Sequence, residues 1–412
     1  MAIFLILFYA VWLTIVIVYT VAFAILLSAP AGSRSESENE FFPTVSLVIP
    51  TYNEGQIIGQ KLENILELDY PRDKLDVLVV DSASSDDTKD TVRRFANRTH
   101  GLVNINLIEQ PSRQGKSSAI NEALRSSSAE VFALTDADVV VRPDALKRLV
   151  KRLAQGTTGA ASGVEVPVGG RGLLFQIESG YRSVYTAVRM AEASLDTPFM
   201  CESEFSVYAK DSIQLLKPGC MCDDLELTVM VRSHNRKGAY VLGVPFFEQE
   251  ANRLRPKLLH KYRRSMANQH GIVRNRRVLL DKTFGKYGTL IFPFEFFVNV
   301  ISPLLVVAAS GLFIGSILAS PFDAPIEALV VLLSGVPSLL LLRQLTRKHL
   351  TPEILKDQRR LSWLLGTVAF FGFQLVLAVS LVRLGLWGPK LQWSQISETR
   401  VPIQNEIQIQ SK

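Results

Sequence analysis

Cysteine is scarce in this sequence, which contains three among 412 residues: Cys201, Cys220 and Cys222. An odd number without a Cys-x-x-Cys pair argues against a disulfide framework or a zinc site and favours free thiols in a reducing compartment. Histidine is almost as scarce, with five residues. His234 and His270 have no His or Cys at ligand spacing, so we expect neither to bind a metal.

Charged residues are absent from positions 3–27. At about 1.5 Å per residue, a helix of this length crosses the roughly 30 Å hydrocarbon core of a bilayer. The stretch lacks the charged n-region and the small-residue cleavage site of a secretory signal, so we interpret 1–30 as a retained transmembrane anchor.

Three further apolar blocks predict a C-terminal membrane region over 288–386, and they cover 288–319, 325–342 and 361–382. The middle block is marginal because it carries Glu327 and two prolines. Residues 343–360 are rich in Lys and Arg, whereas the loop 320–325 has neither, so the positive-inside rule places the basic segment in the cytoplasm. The sequence therefore predicts a multi-pass protein of the cell membrane. The region between the first anchor and residue 288 would be cytoplasmic, and 387–412 would be a polar tail.

After a polar linker over 28–39, β-branched runs alternate with amphipathic segments. Strands are predicted in 44–54, 75–87, 102–110 and 130–141, and helices in 55–68, 88–99 and 114–127. This alternation predicts an α/β, Rossmann-like domain with a mostly parallel sheet and helices on both faces. Such a sheet binds ligands at the carboxyl ends of its strands.

Acidic residues follow three of the predicted strands. Glu54 ends the first, Asp81 the second, and Asp136 and Asp138 the fourth. Asp81 alone would more often cap a turn, but four acids on one rim indicate a binding site. An Asp-x-Asp at a strand end suits a hard divalent cation such as Mg²⁺, which is commonly held by one or two carboxylates together with substrate phosphates.

Two later stretches carry clustered charge. Asp223 and Asp224 precede a helix predicted to begin near Leu225, where they would either be stabilised by its dipole or supply a general base. Between 253 and 277, nine Lys or Arg residues are interleaved with apolar ones. That pattern is typical of a basic amphipathic helix in the lipid headgroup layer, and it predicts an interfacial segment over 251–287.

Five ordered motifs between residues 43 and 250 resemble the family 2 inverting glycosyltransferases of GT-A fold. In particular, they resemble the membrane-embedded branch that includes hyaluronan, chitin and cellulose synthases. The motifs are "VIPTYNE", "DSASSDD" with Asp81, "QGKSSAIN" with Lys116, "TDADVV" and "CDDLELTVMVRSHNRKG". The resemblance implies a cytoplasmic catalytic domain over 43–250 with transmembrane helices at both ends.

The resemblance also implies roles for individual residues. Asp81 would contact the nucleotide base or ribose, Lys116 would lie near the nucleotide, and Asp136 would contact the sugar nucleotide. Asp138 would bind the metal, Mg²⁺ or Mn²⁺. Together with Glu54 at the end of the first strand, these residues form the predicted donor site.

Asp224 matches the last acid of the family's TED-like motif and is the implied catalytic base. In that motif Cys222 stands in place of Thr and Asp223 in place of Glu.

The family's QxxRW motif is altered in this chain. Lys261 stands in place of Gln, Arg264 matches Arg, and Ser265 replaces Trp. The missing tryptophan puts polymer synthesis in doubt, while Arg263 or Arg264 could still hold phosphate.

Three acids have no role that the resemblance assigns. Glu202 and Glu204 lie where relatives have an acceptor loop. Glu295, with Asn299, lies in an apolar block, where both would be costly in hydrocarbon. Residues 287–297 are therefore expected at the membrane interface, with an acceptor channel through the membrane as the alternative.

We therefore expect a metal-dependent membrane glycosyltransferase that uses a nucleotide sugar, expected to be a UDP sugar, at the cytoplasmic face. Its partners would be a polysaccharide or lipid-linked glycan acceptor and membrane lipids, with no role for nucleic acid. The alternatives are a non-catalytic membrane scaffold of the same fold and a membrane nucleotidyltransferase. The latter would release pyrophosphate instead of a nucleoside diphosphate.

Overall fold

The computed structural model describes residues 2–30, 40–321, 324–350, 360–389 and 399–403. Most of the predicted linker, half of the basic segment 343–360 and most of the predicted polar tail lie outside these described ranges.

An eight-stranded sheet forms the centre of the larger part of the chain. Its strands are β1 Val45–Thr51, β2 Leu75–Asp81, β3 Asn104–Glu109, β4 Val131–Thr135, β5 Val139–Val141, β6 Thr158–Val168, β7 Phe205–Ala209 and β8 Lys237–Gln249. Their order across the sheet is β3-β2-β1-β4-β7-β6-β8-β5. The α/β class expected from the alternating pattern is therefore confirmed.

Only the first half of the sheet is parallel throughout. Strands β3, β2, β1 and β4 pair in parallel, as predicted. Beyond β4, pairing is mixed: β4–β7, β6–β7 and β5–β8 are antiparallel, and β6–β8 is parallel. The single strand predicted over 130–141 was wrong, because a turn at residues 136–138 separates β4 from β5. This turn carries both acids of the Asp-x-Asp motif to the rim.

Helices cover both faces of the sheet, as predicted. In chain order the helices preceding the C-terminal apolar region are α1 Ala2–Ser28, α2 Ile58–Leu66, α3 Thr88–Arg98, α4 Lys116–Ser126, α5 Ala145–Lys151, α6 Gly172–Leu195, α7 Asp223–Ser233 and α8 Leu254–Arg274. Successive strand residues point to opposite faces, so Leu47 and Ile49 pack with α2 and α3. Val48, between them, packs with α4 and α7 on the other face.

Four described helices are long and apolar enough to cross a membrane: Ile3–Ser28, Tyr287–Ala319, Pro325–His349 and Leu361–Trp387. The C-terminal ones contain α9 Phe292–Phe296, α10 Ser302–Ala319, α11 Ala324–His349, α12 Arg360–Gly372 and α13 Gln374–Trp387. Two π-helical turns, Tyr287–Ile291 and Phe297–Ile301, flank α9. The marginal block around Glu327 is thus part of a helix of sufficient length.

Helix α6 links the sheet domain to these apolar helices. It packs closely on α12 where Gly180 meets Gly366: a Cβ on Gly180 would lie 1.8 Å from the carbonyl oxygen of Ser362. Small residues at a helix crossing let two backbones approach, as is common between membrane helices. Helix α6 was not predicted from the sequence, although it carries side chains that reach the cavity described below.

The charge of Glu295 is balanced inside the protein. Its carboxylate lies 3.1 Å from a guanidinium nitrogen of Arg189 on α6 and accepts a hydrogen bond from Asn299 Nδ2 at 2.9 Å. Glu295 and Asn299 are both buried. This pairing offsets the cost of placing a carboxylate in an apolar segment.

Candidate functional site

A cavity of ≈ 750 Å³ opens at the carboxyl ends of β1 and β4. Seven of the eight predicted site residues line it: Glu54, Lys116, Asp136, Asp138, Asp224, Arg263 and Arg264. The eighth, Asp81, is fully buried beside the cavity. Its carboxylate accepts hydrogen bonds from the backbone N–H and hydroxyl of Ser84, with the N–H bond at 2.9 Å. A nucleotide contact by Asp81 therefore remains a prediction.

Lys116 joins the acids of two different elements. It is the first residue of α4, after Gly115, whose φ of +87° favours glycine. Its ammonium nitrogen lies 2.8 Å from Asp136 and 3.6 Å from Asp223, and it donates to the hydroxyl of Ser203 at 2.9 Å. One cation thus connects the Asp-x-Asp turn to the first turn of α7.

This lysine governs the ionisation of its neighbours. Burial alone would raise the pKa of Asp136, but the Lys116 ammonium outweighs it and holds that pKa below the usual range. Burial would likewise lower the pKa of Lys116, but the carboxylates of Asp136 and Asp223 hold it well above the usual value. Lys116 is therefore charged and Asp136 ionised at neutral pH.

Asp138 and Glu54 share a partner that the sequence analysis missed. The Arg400 guanidinium contacts the carboxylate of Asp138, and its Nε lies 3.0 Å from Glu54 Oε2. Arg400 itself lines the cavity. Since this residue is distant in sequence and lies in a stretch without regular periodicity, no local signal pointed to it.

Asp224 lies in the first turn of α7, which begins at Asp223 rather than near Leu225. Its Oδ1 accepts a hydrogen bond from the backbone N–H of Ser203 at 3.0 Å. Burial, followed by the nearby charges of Asp223 and Glu204, raises the pKa of Asp224 well above the usual range. A carboxylate with a raised pKa is a stronger base once it has lost its proton.

Arg264 is held by three glutamates. Its guanidinium lies 3.1 Å from carboxylate oxygens of Glu165, Glu204 and Glu248. One carboxylate oxygen from each glutamate lies within 4.8 Å of those of the other two. Arg264 therefore contributes positive charge to this acidic cluster, as does Arg182, whose guanidinium lies 2.6 Å from Glu165, and Glu204 gains a structural partner. Its neighbour Arg263 lines the cavity without a salt bridge or hydrogen bond among the described residues.

Glu202, the other acid without a role assigned from the sequence in this stretch, also lies at the cavity. It lines the cavity and is buried, and its Oε2 has no hydrogen-bond partner in the described part of the chain. Burial, with the charges of Glu204 and Glu165, raises the pKa of Glu202 to about 8. Glu202 is therefore largely protonated at neutral pH.

Lys61 supports the Asp-x-Asp turn from beneath. This fully buried residue of α2 donates hydrogen bonds to Thr135 Oγ1 at 2.5 Å and to the Val139 carbonyl at 2.8 Å. Its two acceptors flank the turn, and burial lowers the pKa of Lys61 to about 7 despite the nearby charge of Asp136. A sequence signal existed, since Lys61 falls on the apolar face of the predicted helix, three residues after Ile58.

Helix α8 buries part of the basic surface that was expected to face lipid headgroups. Lys257 lies 2.8 Å from Glu250, and Lys261 lies 2.6 Å from Glu178. These ion pairs connect α8 to the residue that follows β8 and to α6. The basic amphipathic pattern therefore serves, at these two positions, to join elements of the protein.

The lining of the cavity extends to the apolar helices. Their contribution is mostly apolar, with three polar side chains among them: Phe294, Val298, Phe370, Phe373 and Leu377, together with Glu295, Asn299 and Gln374. Such a cavity offers both charged and apolar contacts to a bound molecule.

The donor set of the cavity fits a divalent metal. Asp138 and Glu54 present carboxylate oxygens, the hard ligands that Mg²⁺ and Mn²⁺ prefer. A cationic guanidinium already lies against both carboxylates, so positive charge is accommodated at this point.

Comparison with known families identifies a segment that supplies part of the lining of this cavity. Residues 46–214 match the family model Glycosyl transferase family 2. The match runs from β1 through β7, includes the Asp-x-Asp turn and ends before α7.

Curated relatives match parts of the chain. Probable glycosyltransferase YdaM of Bacillus subtilis is 37% identical over 97 residues, which are 23% of this chain and 23% of that protein. Beta-monoglucosyldiacylglycerol synthase of Synechocystis sp. is 27% identical over 235 residues, or 54% and 47% of the two chains. An N-acetylglucosaminyltransferase of Mesorhizobium japonicum is 25% identical over 248 residues, or 57% and 58%. The chain thus spans less than two thirds of the length of these relatives.

A solved structure resembles nearly the whole chain. Mannosyltransferase PcManGT from Pyrobaculum calidifontis, in complex with GDP-Man and Mn²⁺, superposes with a TM-score of 0.70 at 24% identity. The superposition covers 94% of this chain and 99% of the mannosyltransferase. This likeness confirms the GT-A-like fold.

Proposed function

Because the chain contains a glycosyl transferase family 2 domain, we propose that it transfers a sugar from a nucleotide sugar to an acceptor held at the membrane. The reaction is a direct displacement that inverts the anomeric centre. One observation carries the proposal: a single cavity is lined both by the acids Asp136, Asp138 and Asp224 and by apolar side chains of the membrane-type helices.

The donor lies against the charged side chains of the cavity. Lys116 and Asp136 orient the sugar nucleotide, and Arg263, which faces the cavity, binds its diphosphate. The proposed donor is a UDP sugar. A GDP sugar is the alternative to test, since the mannosyltransferase of similar fold holds GDP-Man.

Asp138 and Glu54 hold a divalent cation, Mg²⁺ or Mn²⁺. When bound there, the cation would neutralise charge on the departing nucleoside diphosphate. Asp224 acts as the base: its ionised carboxylate accepts the proton of the acceptor hydroxyl as that oxygen forms the new glycosidic bond. The bond between the anomeric carbon and the diphosphate oxygen breaks in the same step.

The acceptor lies towards the apolar helices, from which Phe294, Phe370 and Phe373 line the cavity. This lining favours a lipid or lipid-linked glycan, and it agrees with the altered QxxRW motif. In the proposed organisation, 43–250 is the catalytic domain, 251–287 is interfacial, and 1–30 and 288–386 are the membrane regions. The catalytic domain faces the cytoplasm.

The test is to incubate membranes containing the full chain with radiolabelled UDP and GDP sugars. Products are separated into lipid-soluble and polymeric fractions, and the released nucleotide is identified. We expect label in the lipid fraction together with free nucleoside diphosphate. Release of pyrophosphate would identify a nucleotidyltransferase. Absence of transfer from the whole panel, with nucleotide still bound, would favour a non-catalytic scaffold.

A further inference from the structure

A short C-terminal segment, residues 399–403, docks on the sheet domain far from its neighbours in sequence. The side-chain amide of Gln60 makes two hydrogen bonds with the backbone of Ile403. Gln60 Nε2 donates to the Ile403 carbonyl at 2.7 Å, and the Ile403 N–H donates to Gln60 Oε1 at 2.9 Å. The Ile403 side chain is buried against Val140, Val168 and Phe247. The segment thus has a fitted binding site on the surface beside β5 and α2.

This docking delivers Arg400 into the cavity. Three residues before the anchor, its guanidinium lies between Glu54 and Asp138 and contacts both carboxylates. The side chain of Arg400 is only 20% exposed, so the contact is enclosed. Arg400 therefore contacts the same two carboxylates that we propose as ligands of the divalent cation.

The Arg400 guanidinium and a divalent cation cannot bind the carboxylates of Glu54 and Asp138 at the same time, because both would occupy the same position between them. Arginine stays protonated across the physiological range, so its charge cannot be removed to make room. The cation must therefore displace Arg400, and docking of the segment must weaken binding of the cation. Such coupling is reciprocal, since each ligand changes the affinity for the other by the same factor.

We propose that residues 399–403 are a built-in competitor of the metal-bound donor, with Arg400 in the place of the divalent cation and Ile403 as the anchor. The inference rests on the proposed function in one respect, the assignment of Asp138 and Glu54 to the cation. Docking holds the enzyme in a resting state in which both carboxylates are neutralised. Entry of the cation with the nucleotide releases Arg400.

The test measures binding of Mn²⁺ alone to the purified full-length chain, using electron paramagnetic resonance of free Mn²⁺. If the segment is docked in about nine tenths of the molecules, its removal tightens apparent binding about tenfold. Arg400→Gln should show this gain. Ile403→Asp should show it too, although Ile403 does not touch the carboxylates, because it removes the anchor.

Two controls accompany these variants. Val401 belongs to the same segment but is 48% exposed, so Val401→Asp should bind Mn²⁺ as the wild type does. Asp138→Asn combined with Arg400→Gln should lose the gain. Equal Mn²⁺ affinity in the wild type, Arg400→Gln and Ile403→Asp, with binding still dependent on Asp138, would overturn the competitor while leaving the metal site in place.

A second readout follows the segment itself. A nitroxide label at Val401→Cys should become more mobile when diamagnetic Mg²⁺ is added, and Ile403→Asp should make it mobile from the start. Unchanged mobility at a Mg²⁺ concentration that saturates the site would contradict displacement. If no variant binds either cation, the competitor and the metal assignment both fall. The donor assay would then show separately whether the chain transfers sugar without a metal.

Discussion

The ammonium nitrogen of Lys116 lies 2.8 Å from a carboxylate oxygen of Asp136. The same nitrogen lies 3.6 Å from Asp223, the neighbour of the proposed base. A charge change on either side of the cavity is therefore felt on the other side through this lysine. The donor site and the base are electrostatically coupled, which makes the following predictions sensitive to single substitutions.

Replacing the proposed base should separate binding from transfer. Asp224→Asn keeps the size of the side chain but cannot accept a proton, so transfer should fall by a factor of roughly 10² or more. Nucleotide binding, measured by titration calorimetry, should persist. Asp211→Asn is the matched control, because Asp211 is exposed and pairs with Arg236 at the surface. Near-normal turnover in Asp224→Asn would transfer the role of base to Asp223.

The pH dependence of transfer should report the raised pKa of Asp224. Only the ionised carboxylate accepts a proton, so kcat/KM should rise with pH through a pKa well above the ordinary aspartate value of 3.8. The charge of Asp223 contributes to this shift. Asp223→Asn removes that charge, lowers the pKa of Asp224 and should move the acid limb to lower pH. A limb that stays in place or moves upward would show that another group titrates.

Local patterns were sufficient to predict the parallel half of the sheet. Strands β1 and β2 are short β-branched runs, and a helix follows each at the expected spacing. Because parallel strands end on one edge, the rim position of Glu54 and Asp136 followed from the alternation alone. The turn that separates β4 from β5 was not predicted. The three valines of Val139–Val141 have the composition of a strand, and this composition does not show whether they continue β4 or form a separate strand.

Charge pairing could not be predicted from the sequence, because it depends on which elements meet in space. Arg264 was expected to hold phosphate, yet its partners come from β6, β8 and the turn before β7. Arg400 is likewise brought to Asp138 by the anchor at Ile403. In both cases the basic residue was visible in the sequence but its acidic partner lay far away along the chain.

The orientation of the membrane helices can be tested by cysteine labelling. The three native cysteines are buried, so the parent chain gives the background. Ser320→Cys should react with an impermeant maleimide in intact cells, whereas Arg347→Cys, at the basic end of α11, should react only after permeabilisation. The physical reason is the positive-inside rule. Reaction of both from the same side would show that Pro325–His349 does not cross the membrane.

Metal removal should abolish transfer if Asp138 and Glu54 hold a catalytic cation. EDTA should eliminate activity, and Mg²⁺ or Mn²⁺ should restore it. Asp138→Ala should lose activity that excess metal does not recover, while UDP binding should no longer depend on the cation. Undiminished transfer in EDTA would show that Lys116 and Arg263 hold the nucleotide without a metal.

Replacing the two adjacent arginines of α8 should have different effects: the loss of Arg263 should weaken donor binding, and the loss of Arg264 should lower stability. Arg263 faces the cavity without a salt bridge among the described residues, so Arg263→Met should raise the KM for the donor about tenfold or more, as expected for a lost charge-assisted contact to diphosphate. The thermal midpoint should stay close to that of the wild type. Arg264→Met instead leaves Glu204 and Glu248 without a salt bridge among the described residues, while Glu165 keeps the guanidinium of Arg182 at 2.6 Å. Breaking a buried pair typically costs about 3–5 kcal/mol. A smaller loss is expected here because the side chain of Arg264 is 26% exposed.

Raising the acidity of the buffer should partly restore the stability of Arg264→Met, since protonated glutamates no longer repel one another, whereas it should not restore donor binding by Arg263→Met. The opposite assignment, with the KM effect confined to Arg264→Met and the stability loss to Arg263→Met, would show that the guanidinium of Arg264 leaves the glutamates to bind the donor.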